Sequence, residues 1–151
     1  MISMRILIVE DDPNICILFR SIIGEIASLV EQTGSLRQAM KMCLEKSFDV
    51  IILDLSLLDS NREETMSAIP EMKRQSGASI VVVTGAPDKD IVEQITKAGG
   101  DYCIPKGQDF SKMEKAILMA LHAAILKHPR PHPDDDYLHH VAMLERLVKA
   151  A

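Results

Sequence analysis

Short apolar runs that stop abruptly at polar residues set the rhythm of the chain. Arg5-Ile6-Leu7-Ile8-Val9 is rich in β-branched residues and ends in Glu10-Asp11-Asp12-Pro13. A continuous run of this kind suits a strand covered on both faces, as in a parallel sheet. Pro13 fits the first turn of a helix with Asp12 as its N-cap. Ile15, Leu18, Phe19, Ile22, Ile23 and Ile26 then mark one helical stripe.

The cycle repeats four more times. A weak strand over 29–32 precedes a helix over 36–46, with Leu36, Ala39, Met40, Cys43 and Leu44 on one face. The clearest buried strand is Asp49-Val50-Ile51-Ile52-Leu53-Asp54, and it too stops at a carboxylate. A helix over 63–75 follows, where Pro70 predicts a kink or a late start. A strand over 79–83 closes at Thr84-Gly85, and a helix over 90–98 is ended by Gly99-Gly100. A brief strand over 102–104 ends at Pro105-Lys106, before a last helix over 111–126. Five strands alternating with five helices predict a parallel sheet with helices on both faces and right-handed crossovers.

The length of 151 residues fits one domain plus a short appendage. Hydrophobic content of 47% and a mean hydropathy of +0.08 predict a packed globule. A formal net charge of -5 gives no basic field for nucleic acid or an anionic membrane. Cys16, Cys43 and Cys103 are odd in number, lie in apolar stretches and form no C-x-x-C pair, so they read as reduced core thiols. No secretory leader is expected from Met1-Ile2-Ser3-Met4-Arg5, and no apolar run nears the ~20 residues of a membrane helix, so the expected location is cytoplasmic.

The residues that end the strands carry the chemistry. The first strand gives Glu10, Asp11 and Asp12; the third gives Asp54; the fourth gives Thr84; the fifth gives Lys106. In parallel α/β sheets ligands bind outside the carboxyl ends of the strands. Clustered carboxylates repel, by about 4 kcal/mol for a pair about 4 Å apart at an effective dielectric near 20. A hard divalent cation offsets that repulsion, and Mg²⁺ accepts one or two carboxylates together with phosphate oxygens. Taken singly, each residue has a plainer reading. Glu10-Asp11-Asp12 is also a helix N-cap cluster favoured by the macrodipole, Asp54 a strand-end acid, Thr84 a turn residue and Lys106 a surface charge.

I-L-I-V-E-D-D-P, D-V-I-I-L-D-L-S-L, V-V-V-T-G and G-G-D-Y-C-I-P-K occur in this order over roughly residues 4 to 126. Together they resemble the receiver domains of two-component response regulators. The resemblance implies a flavodoxin-like (βα)5 three-layer sandwich with a five-stranded parallel sheet, here with a C-terminal helical extension. It implies that Asp54 is the phosphoacceptor. Asp11 would be the main Mg²⁺ carboxylate, Glu10 its partner, and the Ser56 backbone carbonyl a further ligand. Thr84 and Lys106 would meet the new phosphoryl group, and Gly85 and Ala86 would let the loop carrying Thr84 move. Expected partners are a sensor histidine kinase or histidine phosphotransfer protein and a downstream protein target. Such a chain is a phosphoacceptor that assists its own phosphotransfer and dephosphorylation, not a turnover enzyme.

Two departures stand out. Leu58 replaces the family's proline after the acceptor, and Asn61-Arg62 occupies its glycine region. This leaves two alternatives, a more mobile loop or a positive φ at Asn61. The aromatic switch position, three before Lys106, falls on Cys103, with Tyr102 displaced by one onto the other face. The loop and Cys103 are the support for a second reading, a pseudo-receiver that binds proteins without phosphorylation. A third, a haloacid-dehalogenase-like phosphatase, expects a D-x-D motif at the first strand, where this chain has adjacent acids.

Domain expectations are a receiver over 1–126, a Pro/His-rich linker over 127–133 and a short amphipathic helix over 134–151. Tyr137, Val141, Leu144 and Val148 form a stripe that either docks on the domain or pairs with a second copy. A homodimer through this helix or through the last receiver elements is therefore an open expectation. About 25 residues cannot hold a winged-helix module, so direct nucleic-acid binding is not expected. The tail histidines (His128, His132, His139, His140) are spaced irregularly and read as solvated, and the methionines as core filler and exposed helix residues.

Overall fold

The computed structural model describes residues 2–24, 26–85, 87–107, 109–127, 142 and 145–150. Its elements run β1 (Ile2–Val9), α1 (Pro13–Ile23), β2 (Ala27–Thr33), α2 (Leu36–Glu45) and β3 (Val50–Asp54). They continue as α3 (Arg62–Ser76), β4 (Ser79–Thr84), α4 (Lys89–Ala98), β5 (Tyr102–Pro105) and α5 (Phe110–Lys127). The strands form one sheet in the order β2-β1-β3-β4-β5, every pair parallel. The fold is the flavodoxin-like (βα)5 sandwich. No helix among the described residues is long and apolar enough to cross a membrane.

Period-two alternation sorts the apolar strand residues into two cores. Ile6, Ile8, Val50, Ile52, Val81 and Val83 face α1 and α5, where they meet Phe19, Ile23, Ile117 and Leu121. Leu7, Val9, Ile51, Leu53, Ile80 and Val82 face the opposite side, with Ala39, Cys43, Ile69, Met72 and Ile95. That two-sided burial explains why the strands read as continuous apolar runs. Cys16 and Cys43 are buried free thiols and Cys103 a half-buried one, and burial pushes the Cys43 thiol up to about 11.

Three local expectations need correction. In α2 the buried stripe is Leu36, Ala39, Met42 and Cys43, while Leu44, one step of about 100° past Cys43, turns outward and is 70% exposed. The helix α3 does not start late: it begins at Arg62 and continues through Pro70 to Ser76. Pro70 is exposed, so the Met66 carbonyl that lacks its N–H partner lies on the solvent side. Asn61 takes no positive φ: at φ -90° it is the N-cap of α3. Its side chain accepts from Glu64 N at 2.8 Å, and the Glu64 carboxylate reaches back to Asn61 N, forming a capping box. Replacing Asn61 with alanine is expected to cost about 1 kcal/mol in a urea unfolding titration.

Of the C-terminal stripe, Val148 is described, and it packs against the α1/α5 core. Glu145 Oε1 lies 3.4 Å from His122 Nε2 of α5. The expected linker from 128 onward, with Tyr137, Val141, Leu144 and the four tail histidines, lies outside the described residues.

Candidate functional site

Strand register brings the strand-end residues to one edge. Val9 pairs with Leu53, Asp54 with Val83, and Thr84 with Pro105, so the chain leaves β1, β3, β4 and β5 at one level. The sheet order also reverses between β1 and β3, which places the crevice where Glu10 and Asp54 stand.

Glu10 is nearly sealed at 3% exposure, and its backbone N–H is tied to Thr33 O at the end of β2. Asp12 N donates to Glu10 Oε1 at 3.1 Å and holds the side chain inward. Asp12 itself is exposed and caps α1 through Asn14 N, so the acidic cluster divides its labour. Asp54 is 1% exposed, with Oδ1 accepting from Ser56 N at 2.9 Å. Lys106 Nζ sits 2.9 Å from Asp54 Oδ2 and 3.1 Å from Glu10 Oε2. Lys106 N also donates to Thr84 O at 2.8 Å, which locks the ends of β4 and β5 together.

One ammonium thus faces two buried carboxylates, with half-buried Asp11 beside them. Oxygens of Glu10, Asp11 and Asp54 lie within 4.8 Å of one another. Burial pushes the Glu10 carboxyl up to about 7, and the charge on Asp54 adds to it, while Lys106 and the Asp12 N–H pull it back. For Lys106, burial works against the charged form, but the bonds to Asp54 and Glu10 outweigh it and hold the ammonium above its ordinary value. Asp54 Oδ2 and Glu10 Oε2 are buried with the Lys106 ammonium beside both, and the buried Thr84 hydroxyl has no hydrogen-bond partner among the described residues. Three clustered carboxylates facing one ammonium suit a hard cation, and the unpartnered Thr84 hydroxyl suits an incoming polar group.

Five of the six residues singled out from sequence (Glu10, Asp11, Asp54, Thr84, Lys106) therefore stand at this edge. The sixth, Ser56, reaches it through its backbone N–H. Gly85 follows Thr84 at the surface, and Ala86 lies outside the described residues. Tyr102 packs with the α1/α5 core and Cys103 with the opposite one, so the two take opposite faces of β5 as strand alternation requires.

Sequence reasoning missed the path of the β3–α3 loop. Asp59 accepts from Ser35 Oγ at 2.8 Å, Leu36 N at 3.0 Å and Arg37 N at 3.3 Å, clasping the loop to the start of α2. The Leu36 N–H is the chief cause of an Asp59 carboxyl held below its ordinary value. Ser35 ahead of an apolar helical pattern was a readable cap, but nothing local announces a partner 24 positions away.

Comparison with known proteins agrees with this geometry: residues 6–118 match the response regulator receiver domain. The chain belongs to that family. It is 25% identical over 120 residues to the transcriptional regulatory protein ZraR of Klebsiella oxytoca, covering 79% of this chain and 26% of that one. This receiver spans between 26% and 50% of the length of the curated relatives it matches. A response regulator of Burkholderia pseudomallei, solved with a phosphorylated aspartic acid, calcium ion and citrate, superposes at a TM-score of 0.65. Its identity is 21%, over 84% of this chain and 76% of that one. The receiver domain of a sensor histidine kinase from Pseudomonas aeruginosa PAO1, with magnesium coordinated in its active-site cleft, gives a TM-score of 0.63. Its identity is 17%, over 79% of this chain and 98% of that one.

Proposed function

We propose that this receiver accepts a phosphoryl group on Asp54 in a Mg²⁺-dependent reaction and uses the modified site to change its protein contacts. One observation carries the reading: the Asp54 carboxylate, 1% exposed, shares a pocket with two further acids and the Lys106 ammonium. A structural acid has no need of such company. The Burkholderia and Pseudomonas proteins, with their phosphorylated aspartic acid and coordinated magnesium, support the same reading.

Glu10, Asp11 and Asp54, with the Ser56 carbonyl, are the residues that would hold Mg²⁺, which when bound supplies charge compensation and a contact for a phosphoryl oxygen. Asp54 Oδ2 attacks phosphorus, an O–P bond forms, and the P–N bond to a phosphohistidine donor breaks with the imidazole as leaving group. Lys106, already 2.9 Å from that oxygen, balances the charge on the transferring group. The Thr84 hydroxyl, without a hydrogen-bond partner among the described residues, donates to a phosphoryl oxygen. The acyl phosphate carries roughly -1.5 to -2 charge in place of the single charge of the carboxylate, and with it three acceptor oxygens, enough to draw Thr84 inward and bias the surface around it. Hydrolysis at the same phosphorus resets the site, so the protein acts as a self-assisted phosphoacceptor. The donor is a sensor histidine kinase or histidine phosphotransfer protein, the output a protein target, and the setting cytoplasmic.

Intact-protein mass spectrometry with acetyl phosphate tests this directly. The expected result is one labile phosphate that requires Mg²⁺ and disappears in Asp54→Asn. No adduct from acetyl phosphate or from any histidine donor would sink the proposal.

A further inference from the structure

Asp11 is held by groups that come from other loops. The Leu58 backbone N–H donates to Asp11 Oδ2 at 2.8 Å, across 47 positions of chain. From another side, Gly34 in the β2–α2 turn presses against the same residue. A Cβ at Gly34 would stand 3.2 Å from Asp11 Cα and 3.3 Å from its Cβ, so any side chain there would push Asp11 by a few tenths of an ångström. The loop that brings Leu58 is itself fixed one residue later, where the Asp59 carboxylate clasps Ser35, Leu36 and Arg37 at the start of α2.

We infer that the Leu58 N–H is a positioning group for Asp11, fixing the rotation of its carboxylate so that one oxygen is engaged and the other is offered to the cation. This rests on the reading that the Glu10, Asp11 and Asp54 cluster holds Mg²⁺. The hydrogen bond has an ionised acceptor, which makes it stronger than a neutral pair and directional as well. An unanchored carboxylate would pay rotamer entropy on binding, and its neighbours would repel it from the cluster. Groups that orient a metal ligand are typically worth 10–100-fold in affinity.

Position 58 allows a clean separation of backbone from side chain. The Leu58 side chain is 92% exposed, so Leu58→Ala keeps the N–H and removes no buried contact. Leu58→Pro deletes the donor alone among polar groups, because proline has no N–H. Calorimetric titration of the full chain with Mg²⁺ is expected to give wild-type affinity for Leu58→Ala and roughly tenfold or greater weakening for Leu58→Pro. Equal or tighter binding by Leu58→Pro overturns the inference while leaving the metal reading intact. If the wild type itself binds no Mg²⁺, the metal reading fails, and the inference with it.

A second measurement needs neither metal nor a folded proline variant. In the metal-free protein the Leu58 amide proton is expected to be protected from solvent exchange, and Asp11→Ala to remove that protection. An amide at 58 that exchanges equally fast in both proteins also overturns the inference.

Discussion

Lys106→Met is expected to cripple both the metal-free fold and phosphoryl transfer. The ammonium lies 2.9 Å from Asp54 Oδ2 and 3.1 Å from Glu10 Oε2, and both of those carboxylate side chains are 1% exposed. Methionine keeps the length of the stem but leaves two buried negative groups facing each other. Removing one partner of a buried ion pair typically costs about 3–5 kcal/mol, because the remaining charge is uncompensated. The Lys106 side chain is 24% exposed, so water screens part of this, and a loss of roughly 2–3 kcal/mol at pH 8 is the expected figure. At pH 5 the loss shrinks, since Glu10 can take up a proton and relieve the repulsion. Phosphorylation from acetyl phosphate should slow by on the order of 10²-fold or more, the usual cost of losing one preorganised charge at a reacting oxygen. Urea midpoints at the two pH values and single-turnover mass spectrometry read both effects. Unchanged midpoints together with an unchanged rate would assign Lys106 to the surface.

Glu10→Gln should do the opposite to stability. Burial and the Asp54 charge raise the Glu10 carboxyl from 4.5 to about 7 in the folded, metal-free protein. Between those values the folded state binds its proton more tightly than the unfolded chain does. Stability therefore falls as pH rises through the window from about 4.5 to about 7, and levels off above it. A shift of this size corresponds to roughly 3 kcal/mol. Glutamine keeps an oxygen for the Asp12 N–H, which now donates to Glu10 Oε1 at 3.1 Å, but carries no charge. The variant is expected to be more stable than the parent at pH 8, to lose most of the slope, and to bind Mg²⁺ more weakly. Saturating the parent with Mg²⁺ at pH 8 should recover much of the same stability. Parallel pH profiles for parent and variant, both metal-free, would show that the Glu10 carboxyl is not strained.

The strand ends were legible because they are local events. An apolar run that stops at Glu10, Asp54, Thr84 or Lys106 announces a strand and its polar terminus within a few residues. The same holds for Pro13 behind its Asp12 cap and for Gly99 closing α4 in a left-handed conformation. Local pattern was weaker where one residue admits two roles. Asn61 suits a positive φ as well as an N-cap, and Glu64 three residues later decides for the cap. Leu44 is apolar in a stretch with more apolar residues than one helix face can bury, so Met42 took the place assigned to it.

From its own order of residues the chain determined five parallel βα units and the side chains that end them, since hydrophobic period, capping and turn chemistry act between near neighbours. Tertiary structure alone decided the register that levels Val9 with Leu53, the reach of the Lys106 ammonium across to Glu10, and the Leu58 and Asp59 contacts that anchor the loop. Those contacts join positions up to 96 residues apart. Which distant groups meet depends on how each loop closes over a finished sheet, and no short window of sequence contains that information.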